Sequence, residues 1–281
     1  MNGILIIDKP KDFTSRDIVN IISKTLNTKK VGHTGTLDPI ATGVLVLCVG
    51  KALKLTELLT STNKEYVATL KLGVETDTLD ITGKVLNKKE VSNISEEEII
   101  NTLNKFKGHI KQQVPKYSAI KVNGKKLYEY ARKGLDVELP IRDVEIKNIE
   151  LLDYQDNLIT FKCNVSKGTY IRSLIRDIGY SLGNYATMME LRRVKQGDFG
   201  IEQAYTLEDI ENSNYELLNP VDVVDLPIIT VDNNLLFKVR NGQVLDKFFD
   251  DDKVMIVDKD NNLVAIYMQS SDNKVKPYKV F

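Results

Sequence analysis

Cysteine and histidine are scarce in this 281-residue chain, two of each. Cys48 and Cys163 both lie in apolar, strand-like runs, where a free cysteine behaves as a small hydrophobe. Neither a disulfide framework nor a zinc site is suggested. His33 and His109 are too few and too scattered for a metal cluster, so no metal is expected. The amino terminus lacks a long apolar run, because only Ile4 to Ile7 precede Asp8 and Lys9. Such a run is too short for a signal peptide or a membrane span, and a cytoplasmic location is the expectation. Net charge is also missing: Lys plus Arg and Asp plus Glu each number 39, which argues mildly against a nucleic-acid binder.

The chain has 42% hydrophobic and 28% charged residues, the proportions of a globular protein rather than a disordered one. Its length allows one large domain and a small one. The charges are segregated along it. From Lys105 to Lys133 there are nine basic residues and one acidic, Glu129, whereas Thr206 to Leu226 carries six acidic residues and no basic one. A polyanion would meet the former segment; on charge alone, a solvated surface is an equal reading.

The most informative stretch is GHTGTLDPIATG, Gly32 to Gly43. Its glycines permit sharp turns and close approach to a ligand. Within it stand one imidazole, His33, and one carboxylate, Asp38, whose direction is constrained by the following Pro39. Taken alone, an Asp-Pro pair reads more readily as a turn than as a catalyst.

Around this loop the elements follow from spacing. Gly3 to Asp8 reads as a buried strand, and Thr14 to Asn27 as a helix capped by Thr14 or Ser15, with Ile18, Ile21, Ile22 and Leu26 on one face. Gly43 to Gly50 is a strand and Lys51 to Ser61 a short helix. In KEYVATLKLG, Tyr66 falls with Ala68, Leu70 and Leu72 on one strand face, which by itself favours a core tyrosine. Thr76 to Gly83 is a polar loop whose Asp77 and Asp80 lack the spacing of a calcium loop. Ser95 and Glu98 form a capping box for a helix to Phe106, with Ile99, Ile100, Leu103 and Phe106 as its apolar stripe. Asn123-Gly124 signals a tight turn before a short helix over Lys125 to Lys133. Val144 to Asp153 and Leu158 to Val165 read as strands, and Ile171, Leu174, Ile175 and Ile178 as a helix that starts near Thr169, Tyr170 and Arg172. From Pro227 onward the pattern is β-rich, with a turn at Lys259 to Asn262.

Several of these stretches together resemble the tRNA pseudouridine-55 synthases. GHTGTLDPIATG resembles their G-H-x-G-x-L-D-P-x-A-x-G motif, KPKDFTS their K-P-x-G-x-T-S motif with Asp12 in place of Gly, and KEYVATLKLG their K-x-Y-x-x-x-x-x-L-G. PKYSAIKVNGKKLYEYARKG, GTYIR and LRRVKQGDF complete the series. The resemblance covers roughly residues 3 to 200. It implies isomerisation of uridine-55 in the tRNA T loop, with Asp38 as the catalytic residue, Arg172 against it, and Tyr66 stacking on the target base. His33, Tyr66, Tyr170 and Leu191 are implied substrate-binding residues, and Asp80 a carboxylate near the site. His33 would stabilise the opened loop.

The resemblance further implies no metal and no organic cofactor, the T stem-loop of tRNA as partner, no required protein partner, no membrane, and a monomer. The implied fold is α+β: a mixed, mostly antiparallel sheet flanked by helices, spanning 1–225, with a basic thumb-like segment at about 105–140 and a small β-rich, PUA-like RNA-binding module at 226–281. Arg240 to Gln243 looks like that module's turn. Rival readings are a relative acting on ribosomal RNA, an RNA-binding tRNA folding factor with secondary catalysis, and a nucleotide enzyme with a phosphate loop. The last would need a Gly-Lys-Ser/Thr ending, which this loop lacks.

Overall fold

Residues 2–60, 62–270 and 273–281 are described by a computed structural model of the chain. In order, β1 (Gly3–Lys9), α1 (Ser15–Thr25), β2 (Val31–His33) and β3 (Thr42–Val49) are followed by a 3-10 turn and α2 (Thr56–Thr60). Then come β4 (Lys64–Leu72), the hairpin β5 (Val74–Thr76) and β6 (Val85–Lys88), α3 (Glu96–Lys105) and β7 (Gly108–Gln113). A small hairpin, β8 (Lys121–Val122) and β9 (Lys125–Lys126), runs into α4 (Leu127–Arg132), then β10 (Ile141–Gln155), β11 (Leu158–Val165), α5 (Ile171–Ser181), β12 (Ala186–Gln196) and β13 (Phe199–Gly200). The chain ends with α6 (Leu207–Glu211), α7 (Pro220–Val223), β14 (Ile228–Thr230), α8 (Asn233–Arg240), β15 (Leu245–Asp246), β16 (Lys253–Val257), β17 (Leu263–Gln269) and β18 (Lys274–Val280).

The main sheet runs β1-β3-β12-β4-β11-β10-β7, with β2 on β3 and β13 on β12. Every pairing in it is antiparallel except β3 with β12, which meet in parallel at Thr42 and Gly43 against Arg192 and Arg193. The expected α+β fold with a mixed, mostly antiparallel sheet is therefore the observed one. β14 to β18 build a second, five-stranded sheet.

The continuous apolar runs of β1 and β3 have a physical reason, since both faces of these strands are covered. Leu5, Ile7, Leu45 and Leu47 pack toward Ile18 and Ile22 of α1. Ile4, Ile6, Val44 and Val46 pack on the other face, with Met255 and Ile266 of the second sheet. In contrast, β4 alternates between buried and half-buried positions, as its sequence alternation requires. Among the described residues, no helix is long and apolar enough to cross a membrane.

Most of the local signals hold in the structure. Thr14 is the N-cap of α1, in a reciprocal capping box with Asp17, and Ser95 and Glu98 form the box of α3. Asp12 holds φ 68°, the left-handed conformation that the family's glycine would supply. Asn123 and Gly124, at φ 51° and 80°, turn β8 into β9, so α4 starts only at Leu127. One expectation needs correction: Ile100 is exposed, because Ile99, Thr102 and Leu103 are the buried face of its helix. The carboxy-terminal segment is β-rich as expected and also holds one helix, α8, which Asp232 caps and which ends in a turn at Asn241 and Gly242, the latter at φ 64°.

Gly43 sits at φ 98°, where a Cβ would lie 2.2 Å from the carbonyl oxygen of Arg193 on β12. Replacing Gly43 with Ala therefore combines backbone strain with a main-chain clash, and is expected to cost about 3 kcal/mol or more of stability, read from urea denaturation against wild type.

Candidate active site

Between β2 and β3 the chain runs from Thr34 to Ala41 without a strand ladder, so its polar backbone groups need partners from elsewhere. Ser15, at the start of α1, accepts from the Leu37 amide at 2.9 Å and donates to the Leu37 carbonyl at 3.2 Å. Lys9, wholly buried at the end of β1, donates to the carbonyls of Pro10, Phe13 and Pro39 at 2.8, 2.7 and 3.2 Å. Burial pulls its amine down to about 8, against the opposing pull of Asp38 and Asp12. The Asp12 amide also reaches Pro39 O, and the Ala41 amide bonds Asp38 O. Asp38 is thus presented on a fixed turn.

Arg172 meets it from the first turn of α5. Nε lies 2.8 Å from Asp38 Oδ2 and Nη2 lies 3.0 Å from Oδ1, a two-pronged pair. Two of its further donors are used as well: Nη1 bonds Thr78 O at 2.9 Å and Nη2 bonds Tyr117 O at 3.0 Å. Arg172 is 6% exposed and Asp38 33%, so the carboxylate keeps an accessible side while the guanidinium has none to spare. The arginine is consequently a buried residue, not a solvated one. α5 starts without a side-chain cap of its own. Buried Gln112 of β7 instead accepts from the Tyr170 amide at 2.8 Å and donates to the Tyr170 carbonyl at 3.1 Å.

Asp38, Arg172, Tyr66, Tyr170 and Leu191 line one cavity of about 370 Å³, together with Tyr117 and Tyr128. Five of the six expected site residues are thereby brought together. Tyr66 and Leu191 are buried, and burial pushes the Tyr170 phenol upward. His33 does not line this cavity; it lies on β2 with a buried, unpartnered Nδ1. Burial and the charges of Arg16 and Arg193 lower its pKa. Asp80 bonds within its own loop, to Thr78 and Thr82, and bears on the site only by shaping the turn that offers Thr78 O to Arg172.

The basic segment reaches the cavity through Tyr117 and Tyr128, and Lys126 and Arg132 both lie 5.4 Å from the Tyr128 ring. A larger cavity of about 470 Å³ lies between the two sheets, beside Lys51, Asn219 and Arg240, and holds none of the expected residues. Sequence reasoning missed Ser15, Gln112, Tyr117 and Arg193, whose roles depend on main-chain atoms distant in sequence.

A model of the TruB family pseudouridylate synthase amino-terminal domain matches residues 23–171, and one of the tRNA pseudouridylate synthase B carboxy-terminal domain matches residues 172–224. The chain belongs to the TruB family. Its relatives include a Clostridium tetani tRNA pseudouridine synthase B, 46% identical over 96% of this chain and 93% of that protein, and one from Bacillus pumilus, 40% identical over 100% and 97%. Among solved structures, an H/ACA ribonucleoprotein bound to a substrate RNA containing 2′-deoxyuridine aligns with TM-score 0.73 and 27% identity over 99% of this chain and 84% of that one. Both family-model matches end before β14, whereas the Bacillus pumilus relative aligns over the whole chain, the second sheet included.

Two outcomes test this geometry. Arg172→Met leaves the Thr78 and Tyr117 carbonyls and the Asp38 carboxylate without their cation, and is expected to cost about 3 kcal/mol by urea denaturation, with Arg172→Lys intermediate. Because the His33 pKa is lower folded than unfolded, the unfolded chain binds more protons just below the ordinary histidine pKa. The stability that a neutral His33 contributes is full above that value and is lost as the pH falls toward the folded pKa. Denaturation midpoints between pH 5 and 7.5 should show a part of this slope that His33→Gln removes.

Proposed function

We propose that the protein isomerises uridine-55 in the T loop of tRNA to pseudouridine, acting as a cytoplasmic monomer with no cofactor and no protein partner. The observation that carries this reading is the two-pronged Asp38–Arg172 pair at the edge of a tyrosine-lined cavity, in a chain of the TruB family. The curated relatives matched over nearly their whole length are named for tRNA pseudouridine synthesis, which supports tRNA as substrate.

The reaction breaks the N1–C1′ bond of the nucleotide and forms C5–C1′, while C5 loses a proton and N1 gains one. No water is added. A carboxylate beside the ribose serves this by stabilising positive charge at C1′ or by adding covalently, as in glycoside chemistry. Asp38 has that role, and Arg172 orients it through its planar two-pronged fork. Tyr66 stacks on the uracil and takes or relays the C5 proton; Tyr170 and Leu191 hold the ring. Extruding the base costs a few kcal/mol, which contacts between RNA phosphates and the basic segment at 105–140 offset. His33, outside the cavity, supports the opened RNA loop rather than the chemistry. Residues 226–281 act as a second RNA-contacting module.

The test is pseudouridine mapping in an unmodified tRNA transcript, with wild type and Asp38→Asn side by side and no cofactor added. One new pseudouridine at position 55 is expected with wild type, and a loss of at least about 10³-fold with the variant. A wild type that binds the transcript but leaves it unmodified overturns the tRNA reading, and an Asp38→Asn protein that retains full function marks an RNA-binding folding factor.

A further inference from the structure

Behind the loop that carries Asp38 lies a second polar cluster, buried and away from the base cavity. Arg193 is 1% exposed and Lys64 8%, and among the described residues neither has a carboxylate at ion-pair distance. A buried cation without a counter-ion is strongly unfavourable unless its donors are used by polar groups. Arg193 uses them on two carbonyls: Nε donates to Val44 O at 2.7 Å and Nη2 to Gly35 O at 3.0 Å. Lys64 donates to Thr60 O at 3.1 Å and Thr62 O at 2.5 Å.

The two arginine acceptors bracket the segment from Thr36 to Gly43, with Asp38 between them. The main chain of Arg193 pairs with Gly43, so one residue of β12 touches the loop through both its backbone and its side chain. Gln196, three residues further along the strand, donates to Thr34 Oγ1 at 2.5 Å, and its Oε1 is buried without a partner. A Cβ on Gly35 would lie 3.3 Å from Arg193 Nη1 and 3.2 Å from Gln196 Oε1, so the guanidinium is packed tightly against the loop.

We propose that Arg193 is a positioning residue for the reaction: its guanidinium clamps both ends of the Asp38 loop, so that the carboxylate meets Arg172 and the substrate in one geometry. The clamp rests on the catalytic reading of Asp38 and involves no contact with RNA. It is geometric rather than electrostatic. The cluster already holds more positive charge than it favours, since burial and the Arg193 charge pull the Lys64 amine down to about 8. Removing the guanidinium relieves that repulsion, and the charge-retaining Arg193→Lys separates loss of the fork from loss of the charge. A lysine carries its donors on one terminal nitrogen, so it lacks the separate Nε and Nη2 that meet Val44 O and Gly35 O in a planar fork.

Arg193→Lys, Arg193→Met and Gly35→Ala would be compared with wild type by single-turnover pseudouridine formation, by affinity for the same unmodified tRNA transcript, and by thermal melting. The last variant leaves the arginine in place and crowds it, so the test survives a failure of either Arg193 variant to fold. The expected result is a fall in the single-turnover rate of about 100-fold for the Arg193 variants, a smaller fall in the same sense for Gly35→Ala, and transcript affinity within about threefold of wild type. Folded variants that react at the wild-type rate, or whose rate falls only in proportion to their affinity, overturn the clamp while leaving the role of Asp38 intact. A wild type that forms no pseudouridine overturns the reading of Asp38 and the clamp with it.

Discussion

A loop with no ladder of its own must have its backbone hydrogen bonds completed from outside, and that constraint organises this molecule. The turn bearing Asp38 is tied by Ser15 at Leu37, by Lys9 and Asp12 at Pro39, and by Arg193 at Gly35 and Val44. These partners come from β1, α1, β12 and the connection after β1. The sheet order puts them on one loop, because β3, which the loop enters, lies between β1 and β12. A carboxylate held this way need not be reorganised when a substrate arrives, which is the condition for electrostatic catalysis.

The Asp38–Arg172 pair is the second consequence. Its guanidinium spends every nitrogen on the Asp38 loop, on the turn at Thr78 and on Tyr117, so three segments remote in sequence converge on one side chain. Through Tyr117 the pair is joined to the basic segment, and through Tyr128 that segment reaches the same cavity. Cationic and aromatic side chains of one short stretch thereby stand side by side at the cavity. On the opposite face of β1 and β3, Met255 and Ile266 seat the second sheet against the strands that flank the loop.

Much of this could be read from local pattern. The capping boxes of α1 and α3, the alternation in β4 and the Asn123-Gly124 turn depend on neighbours within a few residues, and the chain forms them as read. Asp12 kept the left-handed turn that a glycine would have supplied, because its short polar side chain tolerates that conformation. The reading failed where packing outvotes periodicity: Ile100 fits the helical stripe but lies just beyond the covered face. α8 escaped it, being embedded in a sequence dominated by strand signals.

By itself, then, the sequence determined the family, the kinds of element, and which carboxylate stands in the glycine-bearing loop, because motifs and periodicities are short-range. Only the tertiary structure decided that Arg172 is buried with its other nitrogens on main-chain carbonyls, that His33 stands apart from the cavity, and that Arg193 and Gln112 act on backbone atoms. A carbonyl oxygen has no side-chain identity to be read. Its partner becomes visible only when the sheet closes and brings residues more than a hundred positions apart within 3 Å.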